Sequence, residues 1–118
     1  MIIAILKIKP RPERWQEVLS LLQSVQGPTQ VKLGCLACEV YEMRGGESLI
    51  QYVEHWQSKE HLSRHIQSDL FLRILFAMEL ASEEPEISFY EVAEARGMEF
   101  IESLRMGSMQ SKELDENN

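Results

Sequence analysis

The elements legible in this sequence run strand, helix, strand, strand, helix pair, strand, helix, which predicts an α+β class. The β-α-β-β-α-β core is the ferredoxin-like split βαβ plan, an antiparallel sheet with helices on one face. Three observations carry that expectation. An isoleucine-rich run, "MIIAILKIK", opens the chain; two strand-like runs, "CLACEVYEM" and "SLIQYVEHW", flank Gly45 and Gly46; and amphipathic helical stretches separate the strands.

In the first run Ile2, Ala4, Leu6 and Ile8 share one face, while Ile3 and Ile5 begin the other. Both faces start apolar, so the strand needs cover on both sides. "PRPERW" breaks it and offers a proline suited to a first helical turn. Trp15, Val18, Leu19, Leu22 and Val25 then recur at helical spacing, and "QGPTQ" is expected to end that helix. Ser58 is placed to cap a second helix from about Lys59, bent near Ser68 and continuing toward Ala81. Leu62 and Ile66, then Leu70, Phe71, Ile74, Leu75 and Met78, form its apolar stripes. "ISFYEVA" alternates as a fourth strand. "GMEFIESLRM" reads as a short helix, so one domain is expected over 1–106, with 97–106 an additional C-terminal helix. Residues 107–118 are polar and acidic and are expected to be a disordered tail.

A chain of 118 residues, 44% apolar and 26% charged, has the make-up of a soluble globular domain with one modest core. Its net charge of −7 and lack of a basic stripe argue against nucleic acid as a partner. "MIIAIL" is too short to span a bilayer. No basic segment precedes it and lysines follow, so it does not read as a signal peptide. The expectation is a cytoplasmic protein with no membrane partner.

Gly45 and Gly46 can both adopt positive φ, so a two-residue hairpin loop is expected. Cross-strand partners then have numbers summing to 91. One face would carry Cys35, Glu39, Tyr41, Met43, Ile50, Tyr52, Glu54 and Trp56; the other Leu36, Cys38, Val40, Leu49, Gln51, Val53 and His55. On that register Cys35 and Cys38 point to opposite faces. They could neither close a good disulfide nor share a metal without leaving the strand. The "CLAC" motif is therefore taken as two small structural thiols. The tyrosine- and glutamate-bearing face is chemically mixed, and buried carboxylates need partners, so it meets a polar ligand, water or another subunit.

All three histidines lie in "YVEHWQSKEHLSRHIQS" (52–68). His61 and His65 stand four apart, but the zinc-protease pattern needs Glu after the first histidine, and Leu62 is there. No metal is expected. His61 is assigned to the outer helix face. His65 borders the apolar stripe, where a neutral imidazole could exchange a proton near neutral pH.

"EHWQSKEHLSRHIQSDLF" resembles the characteristic segment of the antibiotic biosynthesis monooxygenase family at Glu54, Trp56, His65, Ser68 and Phe71. "GCLACEVYE" resembles its second strand at Gly34, Cys35 and Tyr41. The resemblance spans about residues 1–94. It implies a dimeric α+β barrel, in which two such sheets pack face to face, and a small-molecule pocket between sheet and helices. Some members oxidise aromatic polyketides or quinols with oxygen and no metal or flavin. Others degrade haem with an asparagine, a tryptophan and a histidine; the matching places hold Leu6, His65 and Leu75, so that activity is not expected. The implied protein is a homodimer binding an aromatic or quinone-like molecule, without cofactor. His65 is its expected catalytic proton acceptor, and Trp56, Tyr52, Glu54, Tyr41 and Phe71 are its expected pocket. The alternative is a non-catalytic ligand-binding or stress-related dimer of the same fold.

Overall fold

The computed structural model describes the backbone of residues 1–116 and the side chains of residues 1–107. Its strands are β1 (Ile2–Ile8), β2 (Cys35–Met43), β3 (Leu49–Trp56) and β4 (Glu86–Glu91). Its helices are α1 (Trp15–Gln30), α2 (Lys59–Ile66), α3 (Leu72–Glu79) and α4 (Met98–Glu116). The sheet order is β2-β3-β1-β4, with every neighbouring pair antiparallel. That is the expected ferredoxin-like plan. Ile2, Ala4, Leu6 and Ile8 are buried on one sheet face. Val18, Leu22 and Val25 of α1 and Ile74 and Ala77 of α3 pack in the same core as Leu6 and Ile8. Each fully buried aliphatic side chain contributes about 1.5–3 kcal/mol.

Local chemistry sets the helix limits around the site. Ser58 caps α2, its side chain accepting from the His61 backbone N–H at 3.3 Å. Ser68 closes the bend after α2: its backbone N–H and its hydroxyl both donate to the His65 carbonyl. Helix α1 ends on the last residue of "QGPTQ", after running through Pro28 to Gln30. Proline has no N–H for the carbonyl four residues earlier, and Arg73 donates to that Ser24 carbonyl instead, at 3.5 Å.

The β2–β3 hairpin corrects the expected register. Gly45 and Gly46 do take positive φ, but the strands end at Met43 and Leu49 and pair there, leaving a loop over 44–48. Contacts outside the hairpin hold this wider loop: Arg44 lies 4.5 Å from the Trp15 ring, and Glu47 pairs with Lys9. A one-residue slip reverses which residues share a face. Cys38 faces Glu54, Val40 faces Tyr52, and Tyr41 faces Gln51. A bulge between Cys35 and Ala37 then sets Cys35 opposite Trp56. Cys35 and Cys38 therefore share the helix-covered face, which alternation alone does not allow.

Helix α4 begins where a short helix was expected but continues to Glu116, into the segment assigned to a disordered tail. Glu, Lys, Met, Gln and Leu are good helix formers, and one interior glycine costs only about 1 kcal/mol. The side chains of 108–116 and all of residues 117–118 lie outside the described part.

Candidate functional site

Alternation along β3 turns Tyr52, Glu54 and Trp56 toward the helices. Glu54 is only 1% exposed, and a carboxylate so buried must be bonded to be tolerated. Its Oε1 accepts from the Trp56 indole N–H at 2.9 Å. Its Oε2 accepts from the Tyr52 hydroxyl and lies 2.7 Å from His65 Nε2. Helix α2 delivers His65 from its last turn, buried at 2% exposure. The imidazole sits 4.9 Å from the Trp56 ring and meets Phe71 edge-on at 5.4 Å.

Lys32, in the loop after α1, completes the chain. Its Nζ lies 3.0 Å from His65 Nδ1 and donates to Ser68 Oγ, also at 3.0 Å. An ammonium can only donate, so Nδ1 accepts and the His65 proton is assigned to Nε2, directed at Glu54. A cation and a carboxylate are thus joined through one neutral imidazole. Every donor in this chain points the same way, from Lys32 to His65 and from His65 to Glu54. On the far side Cys38 donates to the Tyr52 hydroxyl at 3.2 Å. Burial, then the Glu54 charge, pushes the Tyr52 phenol far above its ordinary range. Burial pushes the Cys38 thiol up to about 12 and the Cys35 thiol up as well. Reactive cysteines have lowered pKa values, and both of these are shifted the other way.

Two cavities meet this network, and a third adjoins one of them through Phe89. Tyr52 and Glu54 line an apolar one with Ala4, Leu6, Phe71, Ile74, Ile87 and Phe89. It is small, about 10 Å³, room for one water at most. Phe89 also borders an open groove of about 390 Å³ lined by Ile2, Leu62 and Ile66. His65 reaches neither of these. It lines a cleft of about 270 Å³ with Lys32, Leu33, Trp56, His61 and Arg64.

Of the sequence-predicted residues, His65, Trp56, Tyr52, Glu54 and Phe71 are brought together. Tyr41 is not: the register correction puts it on the opposite sheet face, 51% exposed. His61 is not on a free outer face either. Its ring lies against the Gly34 backbone and its Nδ1 is 2.6 Å from Ser58 Oγ. Lys32 and Cys38 were missed as partners. Nothing local in "VKLG" marks Lys32, which reaches a histidine far along the chain only through the fold. Cys38 was hidden by the register error.

A ferredoxin-like α+β domain that holds a buried, fully bonded carboxylate beside an apolar cavity is the class this geometry defines. Residues 1–75 match the antibiotic biosynthesis monooxygenase family, and the chain belongs to that family. An uncharacterized protein of Synechocystis sp. is 26% identical over 90 residues, covering 75% of this chain and 61% of that one. The chain thus spans about three-fifths of that curated relative. A conserved protein from Methanosarcina mazei is similar at 30% identity and a TM-score of 0.69, covering 76% of this chain and 90% of its own. A Mycobacterium tuberculosis structure shares the fold at 23% identity and a TM-score of 0.72, with 81% and 98% covered.

Proposed function

We propose that this family member works as a homodimer that binds a small aromatic or quinol-type molecule and oxidises it with molecular oxygen, the substrate supplying the electrons. One observation carries the reading: Glu54, buried and charge-balanced through His65 and Lys32, borders an apolar cavity. A ring lies in the Ile2–Leu62 groove, and the half-exposed Phe89, which borders both spaces, swings aside to open the small cavity at Glu54 to it. Its acidic O–H or C–H then meets Glu54, which accepts the proton. His65 serves as the positioning group behind it, since Glu54 lines the cavity and His65 does not.

The chemistry balances without another reductant. Proton removal gives an electron-rich anion, a C–O bond forms to oxygen, and Glu54 returns the proton to the peroxide. At a CH2 carbon the hydroperoxide then loses water and leaves a carbonyl, so CH2 and O2 become C=O and H2O. The apolar lining of the cavity strengthens the electrostatics at Glu54. The test is oxygen uptake with a panel of hydroquinones, naphthols and anthrone-type substrates. Glu54→Gln should keep ligand binding and lower turnover about 10²- to 10⁴-fold. Binding with no oxygen uptake anywhere in the panel would favour the non-catalytic ligand-binding dimer. Undiminished turnover in Glu54→Gln would remove the proposed base.

A further inference from the structure

The cleft on the other side of His65 takes no substrate in that chemistry, and no carboxylate lines it beside its cationic residues. Lys32, Arg64, His61 and His65 line it together with Leu33 and Trp56. Three other cavities contain lysines, and in each of them glutamates share the walls. Among the described side chains, neither Lys32 nor Arg64 has a carboxylate within 4.0 Å. In a chain of net charge −7, two cations facing one hollow without an acid are a departure from the rest of the surface.

The local geometry adds direction. Two of the three Lys32 N–H groups are used, on His65 Nδ1 and Ser68 Oγ. The third is unassigned among the described residues. The Glu54 charge balances Lys32 through the imidazole, so Arg64 is the surplus positive group. Leu33, on the rim, is 79% exposed and offers apolar contact to whatever the cations hold.

We propose that this cleft binds a small organic carboxylate: the carboxylate bridges the Arg64 guanidinium and the free N–H of Lys32, and its apolar body lies along the exposed Leu33. Guanidinium suits a carboxylate through paired, parallel N–H donors. The site is separate from the apolar cavity and does not depend on the oxidation chemistry proposed there.

Benzoate is the probe, and Trp56 fluorescence reports binding once Trp15→Phe has removed the other tryptophan. Benzoate should give a saturable change in emission, and benzamide, the neutral isostere, should give none. Arg64→Met should weaken benzoate about tenfold or more, the loss expected for one charged hydrogen-bond partner. Arg64 lies on the exposed side of α2, so this variant keeps the buried network; an unchanged far-UV spectrum checks the fold. Equal binding of benzoate and benzamide, or no effect of Arg64→Met, overturns the proposal. Inorganic phosphate displacing benzoate at equal concentration would also overturn it, since the apolar body would then contribute nothing.

Discussion

Glu54 sets the cost of every change near it. Removing a hydrogen-bond donor from a buried carboxylate leaves that charge under-satisfied and costs about 3 kcal/mol or more, beyond the loss of a packed ring alone. His65→Ala should therefore lower the unfolding free energy by about that much in urea, because Oε2 keeps only the Tyr52 hydroxyl. His65→Gln can still offer an N–H and should lose less than half as much. Equal losses in the two variants would show that the imidazole acts as filler and not as a donor. A second expectation follows from the buried phenol and thiol. Both are neutral when protonated, and the fold raises both. The native state then holds protons that the unfolded chain has released, so stability is full below the unfolded values and falls as pH rises. For Cys38 that window runs from 9.0 to about 12, with a slope of about 1.4 kcal/mol per pH unit for each such group. Melting temperature should be flat up to pH 9 and fall above it, less steeply in Cys38→Ala. A fall that begins on the acid side of pH 8 would assign the alkaline sensitivity elsewhere.

At the scale of elements, strands and helices were legible because period and caps are local. Ile2, Ala4, Leu6 and Ile8 lie on the buried face that alternation gives them, and Ser58 caps α2 where it was expected to. The errors came from contacts made across the fold. Arg44 on Trp15 and Glu47 with Lys9 widen the hairpin loop. Tyr52, Glu54, Trp56, His65 and Phe71 were found because they cluster in one stretch that ends in α2 and its bend. Lys32 was not found because only the α1–β2 loop brings it there. That loop turns at Gly34, whose φ is +84° and whose added Cβ would fall 2.2 Å from His61 Cγ. Gly34→Ala should cost about 2 kcal/mol or more, about 1–2 kcal/mol of it from the left-handed backbone. Adding His61→Ala should recover the steric part and leave the backbone part. Strict additivity of the two substitutions in urea melts would mean that ring and loop do not touch.

For the whole molecule, the open face of the sheet is the feature still to be covered. Helices cover one face; the other shows Tyr41, Met43 and Tyr90, each about half exposed, around half-buried Ile3 and Ile5. The register slip moves Tyr52 off this face but leaves it apolar at its centre, where Ile5 stands between Val53 and Ser88. Large contiguous apolar patches are uncommon on monomers and mark association sites, and an isologous pair of such faces closes without leaving a free edge of the patch. Helix α4 adds Phe100, Ile101 and Leu104, all exposed, so the surface that awaits cover extends beyond the sheet. Ile5 separates the two contributions, because it lies at the sheet centre and away from α4. Sedimentation equilibrium at micromolar concentration should give twice the chain mass. Ile5→Lys should shift the protein to monomer while leaving its far-UV spectrum unchanged, since a lysine at that position faces water in the monomer and is buried uncompensated in the dimer. Deleting the exposed apolar side chains of α4 should leave the dimer in place. A wild-type protein that sediments as a single chain would refute the dimer, and a dimer that survives Ile5→Lys and fails only when α4 is changed would move the interface from the sheet to the helix.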